Sequence, residues 1–178
     1  MTRYVALFGS INVGGNRLKM VDLRAAFEAE GFANVETVVA SGNVLFDHPE
    51  RPDAGLEEKL GLMMRDRFAM KSAALVRSRD ALAASIAGNP FAADGEENRV
   101  HTLFLDGPVD PDAFAALAAG HTGPERIAAG DRALHIDYAA GVADSRLTGA
   151  FVERRLGRKG TARNLRSMRR ILAKMEEG

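Results

Sequence analysis

The chain has 178 residues, 46% of them hydrophobic, which suits one large domain or two small ones and a core that needs no covalent staple. Its 24 basic and 24 acidic side chains cancel, so the whole-molecule field is weak and only a local patch can steer a charged partner. There is no cysteine, which excludes disulfides, a thiolate nucleophile and zinc–thiolate sites, and the absence of tryptophan argues against a stacking platform for single-stranded nucleic acid.

Arg3 to Phe8 reads as a central strand, with Tyr4, Ala6 and Phe8 on one face and Val5 and Leu7 on the other. A polar loop, Ser10 to Arg17, leads to a helix marked by Met20, Leu23 and Phe27 and ended by Gly31. Val35 to Ala40 and Val44 to Phe46 are β-branched or apolar and flank Ser41-Gly42-Asn43, a hairpin signal. Leu56, Leu60, Met63 and Met64 mark a second amphipathic helix, and Ala73 to Val76 a further strand.

The second half opens with a helix capped by Ser78 and stopped by Asn89-Pro90. Arg99 to Leu105 alternates as a strand does. Asp110 is the expected N-cap of a helix with Pro111 at its first position and Gly120 at its end. Arg126 to Ala129 and Ala133 to Tyr138 read as strands around Gly130-Asp131. Two helices, Ser145 to Leu156 and Thr161 to Met175, close the chain. The order predicts an α+β fold of two ferredoxin-like (split βαβ) subdomains, each an antiparallel sheet with helices on one face. The expected division is residues 1–78 and 79–178. No apolar run approaches the ~20 residues that cross a bilayer, and no apolar signal core follows a basic start. The expectation is therefore a soluble, cytoplasmic protein with no membrane partner.

His48, His101, His121 and His135 lack metal-ligand spacing and read as packed or solvated residues. Neither a G-x-S-x-G elbow nor a Walker loop occurs, so the residues assign no reaction and imply no cofactor or metal. The segment Asn12-Val13-Gly14-Gly15-Asn16 carries more chemistry. Its glycines let several backbone N–H groups converge, it feeds a helix N-terminus, and Arg17 and Lys19 stand beside it. That is a candidate anion site; a plain βα connection is the competing reading. On the last helix, Leu165, Met168, Leu172 and Met175 form one stripe and Arg163, Arg166, Arg170 and Lys174 another, after Arg154, Arg155, Arg158 and Lys159. The basic stripe is either a phosphate-facing patch or a solvated face.

At these residues the chain resembles the domain-of-unknown-function family numbered 1697. Tyr4 to Leu7 with Ile11-Asn12-Val13-Gly14-Gly15 look like that family's first strand and glycine loop. Asp22-Leu23-Arg24, Gly31-Phe32, Ser41-Gly42-Asn43-Val44, Asn89-Pro90-Phe91, Ser145-Arg146-Leu147-Thr148 and Thr161-Ala162-Arg163-Asn164 continue the resemblance nearly end to end. The chain departs from the pattern at Gly9-Ser10, where the family has Arg-Gly, at Arg146 in place of a lysine, and at Leu165 in place of an aromatic. The resemblance implies a bacterial-type protein with paired ferredoxin-like subdomains and carries over no activity. The leading functional expectation is a small anionic or nucleotide-like ligand held by Asn12, Gly14, Gly15, Lys19, Ser41, Asn43 and Arg163. Thr161 as N-cap of the last helix, Asn164 and Ser145 take structural roles. Weak nucleic-acid binding through the basic C-terminal helices, and a protein-interaction or structural domain without a small ligand, are the other two readings.

Overall fold

The computed structural model describes residues 1–9, 12–13, 16–39, 42–72 and 74–177, with only the backbone described at Asn12, Val13, Asn16 and Arg17. Two compact units emerge: Met1–Ala83 with Arg170–Gly178, and Ala84–Arg169.

The first unit runs β1 (Thr2–Phe8), β2 (Asn12–Val13), β3 (Asn16–Arg17), α1 (Met20–Ala29), β4 (Ala33–Thr37), β5 (Asn43–His48), α2 (Asp53–Phe68) and β6 (Ala74–Ser78). Its main sheet has the order β4-β5-β1-β6, antiparallel throughout. Period-two alternation sends Tyr4, Ala6, Phe8, Val44, Phe46 and Val76 to the face that α1 and α2 cover with Leu23, Phe27, Leu56, Leu60 and Met64. Phe27, Phe32 and Phe46 meet at this face, with centroids 4.8 to 5.7 Å apart. Each buried ring is worth ~1.5–3 kcal/mol in removed apolar area. Gly31, at φ +89°, lets the chain leave α1 and turn back into β4.

Ser78 ends β6 and its Oγ accepts from Ala81 N–H at 3.1 Å, so α3 (Arg79–Ala87) starts without a linker. The second unit then runs β7 (Val100–Leu105), α4 (Pro111–Gly120), β8 (Arg126–Gly130), β9 (Ala133–Asp137), α5 (Gly149–Leu156) and β10 (Gly160–Asn164), followed by α6 (Leu165–Glu176). Its sheet order is β10-β7-β9-β8, again antiparallel. Leu103, Leu105, Leu134 and Ile136 pack against Leu117 of α4 and Val152 and Leu156 of α5. Leaving aside the β2–β3 ribbon, both units run β-α-β-β-α-β, and numbering strands along the chain gives each the order 4-1-3-2.

Three local expectations are corrected. Residues 160–164 form an edge strand, not the start of the last helix: Thr161 lies opposite Phe104, Arg163 opposite Thr102 and Asn164 opposite His101. Thr161 is therefore no N-cap; Asn164 Oδ1 accepts from Ser167 N–H at 2.8 Å and caps α6 instead. Helix α5 begins at Gly149 rather than Ser145, because Thr148 Oγ1 takes the Phe151 N–H. Finally, Gly130 is a paired strand residue, and Asp131-Arg132, with Arg132 at φ +48°, makes the turn. Gly130 answers a packing need: a Cβ there would stand 2.7 Å from His135 Nε2.

Candidate functional site

At the end of the first sheet where β1 runs out, two hydrogen bonds reach across chain segments. Phe8 N–H donates to the Gly42 carbonyl at 2.8 Å, and Ser72 Oγ donates to the Gly9 carbonyl at 2.5 Å. Three segments (the end of β1, the turn before β5 and the residues before β6) are thus tied together. Asn43 opens β5 opposite Leu7 and is 2% exposed. Its Nδ2 donates to the Val39 carbonyl at 2.8 Å, while its own carbonyl takes the Val38 N–H at 3.1 Å. Val39 at φ +51° and Gly42 at φ +85° bend the turn around that amide.

Asn12 pairs with Arg17 and Val13 with Asn16, two short antiparallel strands that precede α1 by Leu18 and Lys19. Gly14, Gly15 and Ser41 lie outside the described residues. Lys19 is exposed, and its carbonyl receives the Asp22 and Leu23 N–H groups at 3.1 Å as α1 begins. Among the described residues, neither Lys19 nor the exposed Lys71 beside Ser72 has an acidic partner.

Arg163, Asn164 and Thr161 belong to the second unit. Arg163 is half-buried and its Nη1 donates to the Ala162 carbonyl at 2.9 Å; lost solvation pulls its guanidinium down to about 10, which leaves it charged at neutral pH. Along the same row of the sheet, Thr102 Oγ1 and His135 Nδ1 are 2.8 Å apart and buried. Burial lowers the pKa of His135, and of His101 as well. Thr161 Oγ1 is buried without a hydrogen-bond partner among the described residues. With 160–164 in a strand, the basic stripe of α6 starts only at Arg166. Arg169 pairs with Glu97 at 3.0 Å, and Lys174 with Glu177 at 2.8 Å.

The family profile "Protein of unknown function (DUF1697)" matches residues 1–135. The chain belongs to this family. No curated protein matches this DUF1697 chain. It is similar to the solved structure of a conserved bacterial protein from Streptococcus pneumoniae, with 23% identity, 99% of each chain covered and a TM-score of 0.76. That likeness is one of fold. The DUF1697 match takes in the glycine ribbon and the 41–44 turn and stops within β9; Ser145 and Thr161 to Asn164 lie beyond it. Among the described residues, no helix of this DUF1697 protein is long and apolar enough to cross a membrane.

Sequence reasoning missed a second polar cluster, in the second unit. Ser145 Oγ donates to Glu125 Oε1 and accepts from Leu147 N–H, while Tyr138 Oη donates to the Leu147 carbonyl at 2.6 Å. His121 Nε2 sits 2.8 Å from the Glu125 carbonyl and 3.5 Å from Glu125 Oε2. Ser145 holds the Glu125 carboxyl below its ordinary value, and burial, with Glu125 adding to it, pushes Tyr138 up to about 12. The only local hint was His121 and Glu125 four residues apart around Gly123-Pro124, outside any helix, where spacing rules do not apply.

Proposed function

We propose that this protein binds a small anionic or nucleotide-like ligand at the end of the first sheet. The Phe8–Gly42 hydrogen bond carries the reading, because it joins the strand that feeds the glycine ribbon to the turn holding Asn43. Lys19 and Lys71 supply positive charge without acidic partners among the described residues, and Lys19 immediately precedes α1, whose N-terminus adds a partial positive charge. Asn43 shapes this end by fixing the turn from inside, since its side-chain amide is spent on Val39. Asn12, Gly14, Gly15 and Ser41 are the residues proposed to offer polar groups to the ligand. Arg163, in the other unit, is a separate cation and plays no part in this reading.

Titration of the 15N-labelled protein with inorganic phosphate and with ATP tests it. The expected result is saturable shifts at Gly9, Lys19, Gly42 and Asn43, with affinity at least tenfold weaker in Lys19→Ala/Lys71→Ala and a steep loss with added salt. No saturable shift at millimolar ligand, or shifts that the double variant leaves unchanged, refutes it.

A further inference from the structure

Outside that sheet end, the second unit contains a half-open cleft of about 810 Å³ between α4, the 121–125 loop, the 144–148 segment and α5. Its floor is apolar: Leu117, Leu147 and Phe151 line it, the first two buried. Its rim is basic, with Arg146, Arg154 and Arg155 on the lining. Among the described residues, Arg146 and Arg154 have no carboxylate, carbonyl or ring partner, while Arg155 lies over the Phe151 ring at 4.9 Å from its centroid. Unpaired arginines at the edge of a concave apolar surface present bidentate donors for an oxyanion, and an adjacent place for that anion's hydrocarbon.

The cleft lining holds two acidic residues. The Glu125 side chain is 6% exposed, and its oxygens are already engaged by the Ser145 hydroxyl and faced by His121. The other acidic lining residue, Asp144, is exposed and forms no ion pair among the described residues. The loop is built around that buried carboxylate: a Cβ on Gly123 would stand 2.3 Å from Glu125 Oε2. His121 Nε2 is committed to the Glu125 carbonyl, which fixes its proton there and leaves Nδ1, on a residue that lines the cleft, as the acceptor of the neutral ring.

We infer that this cleft is a second binding site, for a small organic anion: a phosphate or carboxylate carried on a compact apolar or aromatic body. Arg146 and Arg154 hold the oxyanion, and Phe151, Leu117 and Leu147 receive the body. The site does not depend on the sheet-end reading, because no residue is shared between the two.

Calorimetry with phenyl phosphate, inorganic phosphate and phenol as separate probes tests the inference. Phenyl phosphate is expected to bind at least tenfold more tightly than either half alone. Arg146→Ala/Arg154→Ala is expected to weaken it by tenfold or more, and Phe151→Ala to weaken phenyl phosphate while leaving inorganic phosphate unchanged. Lys19→Ala/Lys71→Ala is expected to leave phenyl phosphate binding intact, so failure of one site is readable apart from failure of the other. Equal affinity for phenyl phosphate and inorganic phosphate, or wild-type affinity in the arginine double variant with an unchanged circular-dichroism spectrum, overturns the inference.

Discussion

On the face turned away from its helices, the first sheet carries buried Val5, Leu7, Leu45 and Leu75, with polar Asn43 and Arg77 toward the strand ends; the second sets buried Thr102, His135, Asp137 and Thr161 among buried Val100, Phe104 and Ala133 there. Strand order and connectivity are the same in both. The difference teaches that topology fixes which residues share a face and leaves open what that face is made of. In the first sheet each fully buried aliphatic residue contributes ~1.5–3 kcal/mol regardless of pH. In the second, a pair such as Thr102–His135 nets only ~0.5–1.5 kcal/mol. That smaller gain depends on a particular protonation state and partner. Arg126 illustrates the same economy at the sheet edge: it reaches both Asp137 and Asp94 and stacks over Phe91 at 4.7 Å.

The sharpest way to break the comparison is to hollow the first unit. Phe27→Ala removes the ring shared by the Phe8, Phe32 and Phe46 contacts and is expected to cost ~3–5 kcal/mol. A loss below 1 kcal/mol in urea titration would mean the aromatic cluster is not the unit's core. Next is a buried ion pair there, Arg77–Glu57 at 3.6 Å, where Glu57 Oε2 also accepts the Val76 N–H at 2.9 Å. Glu57→Ala takes the carboxylate from a buried guanidinium and an acceptor from an edge strand together, with an expected loss of about 2–3 kcal/mol; Glu57→Gln should recover part of it.

The third effect separates the units by pH. His101 and His135 have pKa values lowered by burial from the ordinary 6.5, so the unfolded chain takes up protons first as pH falls. Their contribution to stability is complete above about 6.5 and is lost below it, at no more than ~1.4 kcal/mol per pH unit for each histidine. Each unit holds one of the chain's 2 tyrosines, and there is no tryptophan, so fluorescence of Tyr4→Phe follows Tyr138 alone. Urea midpoints read this way should fall between pH 7.5 and 5, and His135→Ala should flatten the slope. A slope unchanged by that substitution would remove the second face as its source. The smallest effect is Asn164→Ala, expected at ~1 kcal/mol for a lost N-cap, with Asn164→Ser close to wild type.

Much of this was legible in the sequence. Alternation through Tyr4 to Phe8, Gly31 after α1, Ser78 before α3 and Asp110-Pro111 at α4 each state a local preference that the fold keeps. Strand β10 was not legible, because Ala162 and Leu165 extend the helical period of α6 backwards and only pairing with β7, some 60 residues distant, decides otherwise. Ile171, rather than Leu172, completes the buried stripe of α6. For the sites, the glycine segment stood out as composition. The Ser145–Glu125 bond joins residues 20 apart with no local pattern, and the cleft above it could not be read. Of the 12–17 segment, the described residues show a short ribbon, Asn12 opposite Arg17 and Val13 opposite Asn16.

The division of the chain bears on its synthesis. Residues 170–178 group with the first unit: Met175 is buried and lines a groove with Tyr4 and Val35, and Lys174 Nζ lies 3.9 Å from Glu36. The whole second unit, Ala84–Arg169, is therefore made before the first can be finished. At ~5–20 residues per second, the nascent first sheet waits on the order of ten seconds for its last piece. During that interval Leu23, Phe27 and Phe46 can already be enclosed by α1 and α2, while the surface that Met175 will cover stays open to solvent on the ribosome.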